Sequence, residues 1–327
     1  MNPAPSSLLQ AGTPAFGRYA GRLQRFDWTG LLPRPGWLWR RLHHKRWHYV
    51  GLGNERAFIG VAIVDVGWTC TAFAYLFDRR RRTLLADWSQ DGLPGLQSSV
   101  SDEPLAGANA WFRGPAARLS LRHGAGDVLR LEVSTRTLRL EAELGLQAMA
   151  PPLLAIGPIE GGRAHATQKT TALPVRGWAE AGGQRFGLDD AWAAVDASNG
   201  LLARETAWRW ASAHAPGIGF NLQDGYFGSQ ENVLWLDGQP LALGAARFNF
   251  DAARPMDPWR VHTDDGLLDL VFTPEGARRQ DRNLGFAASH YVQPIGTFTG
   301  TVRANAESAP RDVHGLLGVT EDHRSRW

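Results

Sequence analysis

The chain has 327 residues, with 35 Lys and Arg against 32 Asp and Glu, for a formal net charge of +3. That balance excludes a dedicated nucleic-acid binder, whose affinity comes from neutralised phosphates. With 43% hydrophobic and 20% charged residues it is not a disordered chain, and it can build a core without disulfide or metal support.

Residues 1–40 are rich in Pro, Gly and Arg and read as an N-terminal arm, in which Pro33 and Pro35 forbid a long helix. The opening MNPAPSSLLQAGTPAFG has neither a basic n-region nor an apolar h-region, so no secretory leader is expected. The most basic segment follows, RRLHHKRWH; His43, His44 and His48 have no acidic neighbours there, so no metal is expected. That segment suits an exposed strand entry or a contact with a phosphate or anionic lipid, which leaves peripheral membrane contact open. No apolar run approaches the roughly 18 residues of a spanning helix. Cys70 stands alone in VGWTCTAFAYLF, which excludes an intrachain disulfide and suggests a small buried filler. A soluble, reducing, cytoplasmic setting is the expectation.

From about residue 45 the pattern has period two. In VLRLEVS (128–134) Leu129, Leu131 and Val133 share a face opposite Arg130 and Glu132, and RTLRLEAEL (136–144) alternates likewise. Turn signals separate such runs: RRRR at 79–82, AGG at 181–183, Asp237-Gly238 and DDG at 264–266. Many short strands with few short helices predict an all-β protein of two antiparallel β-barrels or sandwiches packed together. The Pro/Gly-rich stretch 149–162 is the expected seam, giving a first barrel over 41–160 and a second over 161–327.

The 14 Trp against 5 Tyr imply amphipathic walls, and the basic residues are almost all Arg, the two lysines being Lys45 and Lys169. In AWAAVDAS (191–198) strand period groups Trp192, Ala194 and Asp196. An Asp in that partly apolar volume would have a raised pKa; the alternative is a turn-capping Asp before Ser198-Asn199-Gly200. In RETAWRWAS (204–212) Thr206, Trp208 and Trp210 share a face, lining either a cavity or a packed core. Across GFNLQDGYFGSQENVLWL (219–236), Asn221 and Glu231 are polar among aromatics, with Glu231 expected beside Val233 and Trp235 on one strand face. GVTEDHRSRW (318–327) groups Glu321 with His323, an acid/base pair or a salt-bridged closing strand. His165 and Lys169, in GRAHATQKTT, are further polar residues near the 149–162 seam, where a lone His is more often structural. No phosphate loop, nucleophile elbow or zinc-protease motif is present.

KRWHYVGL (45–52), AWRWAS (207–212), GFNLQ (219–223), ENVLW (231–235), PWRVHTDDGLLDLVFTPEG (258–276), QPIGTFTG (293–300) and GVTEDH (318–323) with Trp327 together resemble the bacterial family DUF2804. That resemblance brings no catalytic residue. More distantly, the pattern is similar to the two-barrel, lipocalin-like (calycin-like) group of carotenoid hydratases, AttH-like proteins and fungal pericyclases, which implies two lipocalin-like antiparallel β-barrels and a cavity for a hydrophobic molecule. Three functions then stand open. The first is a cofactor-independent lyase or isomerase acting on an isoprenoid-like substrate, with Asp196 or Glu231 as acid and Trp192, Trp208, Trp210, Asn221, Trp235, Glu321 and His323 around the ligand. The second is a non-catalytic lipid carrier using the same cavity. The third is a carbohydrate-binding or carbohydrate-cleaving protein.

Overall fold

The computed structural model describes residues 1–283 and 288–327. Strands dominate, and the only helix among the described residues is Trp37–His43. No described helix is long and apolar enough to cross a membrane. The chain divides into two compact units, Asn2–Arg204 and Glu205–Trp327.

In the first unit an antiparallel series runs Thr83–Gly92, Cys70–Asp78, Ala57–Asp65, His44–Gly53, Trp192–Leu201, Ala164–Lys169, Leu153–Pro158. A second limb leaves Trp192–Leu201 through Leu173–Ala181 and continues over Leu138–Gly145, Val128–Ser134, Ala117–Gly124 and Asn109–Gly114. The apolar positions of both limbs meet in one core. Val50, Leu52, Ile59, Val61 and Leu76 come from the first, and Leu119, Leu121, Leu129, Leu131, Leu140 and Leu144 from the second. The predicted alternation is therefore the device that builds this core: Leu129, Leu131 and Val133 are buried while Arg130 and Glu132 face water.

The N-terminal residues form no free arm. Gly17–Ala20 pairs with Leu153–Pro158, and Leu8, Leu23, Phe26 and Trp28 pack on Leu154, Ile156, Ala166 and Ala197. The expected seam at 149–162 thus holds a paired strand, and the division falls between Arg204 and Glu205. Its prolines flank the strand: Pro151 and Pro152 precede it and Pro158 ends it, positions that tolerate a missing N–H.

The second unit is a nine-stranded antiparallel sheet, with the three long strands Leu268–Asn283, Ala288–Val302 and Arg311–Arg326 adjacent to Glu205–Ala215 and Ile218–Gly225. Its apolar face is filled by Phe220, Trp259, Phe272 and Phe298; Phe220 meets Phe298 edge-on at 4.9 Å between ring centres. Register shifts at Pro274/Gly276 and Phe298/Gly300 bend the long strands. Gly300 is required there, because its φ is +150° and a Cβ would lie 2.3 Å from the Asp269 carbonyl oxygen. The Asp237-Gly238 turn joins Val233–Leu236 to Gln239–Ala242 with both residues at positive φ, as a two-residue hairpin demands.

Candidate functional site

Strand pairing in the second unit aligns the polar residues of five strands on one face. Gln223 stands opposite Trp210, Trp210 opposite Glu321, and Gln293 opposite Arg278. The row closes where Gln293 Nε2 donates to Glu321 Oε2 at 2.9 Å. Two residues along, on the same face, Trp208 lies opposite His323 and His323 opposite Tyr291; the next row pairs Thr206 with Ser325 and Ser325 with Ser289. This face is buried although polar: Gln223 and Gln293 are 1% exposed, Arg278 2% and Glu321 7%.

Glu321 is held on both oxygens. Trp208 Nε1 donates to Oε1 at 2.8 Å, while Gln293 takes Oε2. His323 Nδ1 lies 3.5 Å from Glu321 Oε1, without an aligned hydrogen bond. The other ring nitrogen, Nε2, is 2.7 Å from Ser325 Oγ and 3.0 Å from Ser289 Oγ. Trp208 covers the imidazole at 4.2 Å between ring centres. The strand ends that carry Thr206, Ser289 and Ser325 also border an opening of about 530 Å³, lined mostly by residues of the opposite, exposed face such as Glu205, Ala207, Asp281, His290 and Arg324. Carboxylate, imidazole and hydroxyls therefore run in sequence along this face. Such a series can pass a proton.

Gln223 stands apart from the pairing on this face. Among the described residues, neither its amide nitrogen nor its carbonyl oxygen has a hydrogen-bond partner, yet both atoms are buried. A buried amide left unmatched is costly and calls for an explanation.

The other expected residues separate into groups. Trp210 is buried and spends its indole N–H on Asn221 Oδ1 at 2.8 Å, and Asn221 Nδ2 donates to the Glu231 carbonyl at 2.9 Å. Asn221 thereby clamps Trp210 to the turn that carries Glu231. Glu231 sits in the turn before Val233–Leu236 rather than on the strand, because the ladder with Ile218–Gly225 begins only at Val233. Trp235 is buried, with its ring edge-on to His214 at 6.3 Å, and burial pushes His214 down to about 3.

Asp196 and Trp192 belong to the first unit. The strand continues through Ser198, Asn199 and Gly200 to Leu201, so Asp196 caps no turn. Its carboxylate lies 2.5 Å from Lys169 Nζ and also accepts from Ser198 Oγ at 2.9 Å. Burial raises its pKa, but the Lys169 ammonium, with hydrogen bonds from Lys169, Ser198 and Trp47, outweighs that and leaves it below the usual carboxylate value. The expected protonated acid is therefore an ionised carboxylate. His165, on the same face, is pushed down to about 3 by burial and then by Lys169. Trp192 is half-buried at the start of the strand. Lys169 escaped the reading of the Asp196 site because its pairing with Asp196 spans 27 positions and is set only by strand register. Ser289 and Arg278 lie outside every motif of the sequence, and Gln293 opens the family segment QPIGTFTG, which carries no catalytic signature.

The family model for DUF2804, a domain of unknown function, matches residues 3–327. The chain belongs to the DUF2804 family. No functionally curated protein matches it. Among solved structures, this DUF2804 chain is similar to kievitone hydratase from Nectria haematococca at 10% identity and a TM-score of 0.57, covering 95% of this chain and 98% of that one. It is also similar to CghA, solved with Sch210972, at 12% identity and TM-score 0.61, covering 99% and 95%. An AttH-type protein from Nitrosomonas europaea follows at 12% identity and TM-score 0.54, covering 86% and 92%. At these identities the likeness is one of fold, and it is the fold group expected from the sequence.

Proposed function

We propose that this DUF2804 protein binds an apolar, unsaturated small molecule on the polar face of Glu205–Trp327 and moves protons on it through His323. The observation that carries the reading is the unmatched Gln223 amide, standing two strands, or about 10 Å, from the Glu321–His323 pair. A ligand carbonyl or hydroxyl satisfies Gln223, while the apolar body lies against Trp208. Glu321 orients the imidazole, and Nε2 exchanges a proton with the substrate through Ser289 or Ser325. The Trp208 face favours positive charge on the imidazolium or on a carbocation developing in the substrate. Hydration, proton-initiated cyclisation and double-bond migration all use such a step without a cofactor. Fold-sharing with a protein named as a hydratase supports this class of chemistry, and fold-sharing with CghA, solved with Sch210972, supports a bound small molecule.

Native mass spectrometry of freshly purified protein, followed by extraction, should reveal an apolar guest. Returned to fresh protein in deuterated water, that guest should take up deuterium or water, and His323→Ala should abolish the uptake. An empty protein removes the reading. A guest that never exchanges favours the carrier, which the completed pairing of Trp208, Trp210, Asn221 and Glu321 also supports. The carbohydrate-cleaving alternative gains nothing from Glu321 and Asp322, which as strand neighbours face opposite ways.

A further inference from the structure

Exposed apolar side chains cluster in one short segment. Leu32 is 63% exposed, Trp37 79%, Leu38 61% and Leu42 47%. They surround the single described helix, Trp37–His43, and its approach. Basic residues accompany them: Arg34 and Arg41 are exposed, Arg40 is half-buried, and Arg163 donates to the carbonyls of Leu32 and Pro33 at 3.2 Å. No acidic residue occurs between Asp27 and Glu55. Asp27 faces this segment electrostatically through Arg40, and its own oxygen is engaged by Thr29.

The helix is fixed in this attitude rather than loosely attached. Lys45 Nζ, wholly buried, donates to the carbonyl of Leu42 at 2.6 Å and to that of Val66 at 2.8 Å, tying the last turn to the hairpin beyond. Gly67, at φ +89°, lets that hairpin approach so closely that a Cβ would lie 2.0 Å from the Arg41 carbonyl oxygen. The Leu202 N–H donates to the His43 carbonyl, and Trp39 stacks on His43 at 4.1 Å. A buried ammonium, a glycine and a strand end thus hold Trp37, Leu38 and Leu42 outward.

We infer that the segment 32–42 is a docking surface for a lipid bilayer with anionic headgroups. The apolar side chains enter the headgroup–acyl boundary while the arginines pair with lipid phosphates. Trp suits that depth because its ring is apolar and its N–H polar. The charge complementarity is what selects a bilayer over a second copy of this chain, whose same segment carries the same positive charge. The inference is independent of the chemistry assigned to His323.

The test is flotation of the full chain with vesicles of phosphatidylcholine, with or without about one part in three of phosphatidylglycerol. Binding is expected on the anionic vesicles and should weaken as salt rises. Trp37→Ser with Leu38→Ser and Leu42→Ser should lower the partition constant on the order of a hundredfold. Arg34→Ala and Arg41→Ala should each lower it about fivefold. All five side chains are at the surface, so the variants should unfold at the wild-type temperature. Leu93→Ser with Leu96→Ser, equally exposed elsewhere, should bind like wild type. Wild-type binding by the triple variant overturns the inference. So does a wild type that ignores both vesicles and instead forms a dimer that the triple variant abolishes.

Discussion

Replacing Asp196 with Asn should destabilise the first unit rather than disable a catalytic acid. The Lys169 ammonium lies 2.5 Å from the carboxylate, with side chains only 5% and 15% exposed. The neutral amide of the Asp196→Asn variant would leave that ammonium buried without its counter-charge, a loss that costs about 3–5 kcal/mol. For a unit of this size the unfolding temperature should fall on the order of 10 °C. Lys169→Met should cost a similar amount by stranding the carboxylate among Ser198, Thr167 and Trp47. The double variant should lose less than the sum, with a coupling of about 2 kcal/mol or more. Because the folded pKa of Asp196 is depressed, its share of stability is present above the unfolded value of about 3.9 and is lost as pH falls through the folded value. Wild type and Asp196→Asn should therefore converge only below about pH 4. Denaturant melts of the four proteins decide the matter. Additive single effects, or an Asp196→Asn variant that melts like wild type but loses all turnover, would refute the ion-pair account.

Desolvated histidines should make the protein acid-labile: desolvation holds the half-buried His44 at about 4, and buried His165 and half-buried His214 at about 3, against 6.5 unfolded. Their contribution is complete above about pH 6.5 and drains as pH falls toward those values, because the unfolded chain then binds more protons. An unchanged melting midpoint between pH 7 and pH 4.5 would contradict this. Gln223→Leu should raise the stability of ligand-free protein by about 1–3 kcal/mol, since it removes an unmatched buried amide, and should weaken guest retention; a loss of stability in the empty protein would show that the amide is matched. Phe298→Ala should cost about 3–5 kcal/mol by opening a hole between Phe220 and Phe272, read by chemical denaturation. Gly60→Ala should be strongly destabilising, because the added methyl would stand 2.3 Å from the Tyr75 ring, and a wild-type melt would place that ring elsewhere.

Much of the fold was legible because half-buried antiparallel strands write their geometry into the chain at period two. Val128–Ser134 and Leu138–Gly145 stand within two residues of expectation, and the turns at 79–82, 181–183, Asp237-Gly238 and 264–266 each join paired strands. Residues 1–40 misled because Leu8, Leu23, Phe26 and Trp28 bury themselves singly, without periodicity, over a sheet formed elsewhere. Strand period also grouped Trp208 with Trp210 and Glu321 with His323, but it could not say which strands are neighbours. Register across the last hairpin brings Gln293 and Ser289 to the Glu321–His323 pair, and pairing of two strands that are not consecutive brings Lys169 to Asp196. Glu231 was placed on a strand because apolar neighbours follow it; the turn region before Val233–Leu236 claims it instead.

Both lysines of this chain are buried, Lys45 wholly and Lys169 at 4% exposure, while arginine supplies nearly all its remaining side-chain cations. Side-chain amine chemistry should therefore be nearly blind to the folded surface. Acylating reagents, amine cross-linkers and enzymes that modify lysine should find no side-chain target until the first unit opens. Acylation of either lysine then becomes a clock for that opening, readable peptide by peptide without any engineered probe.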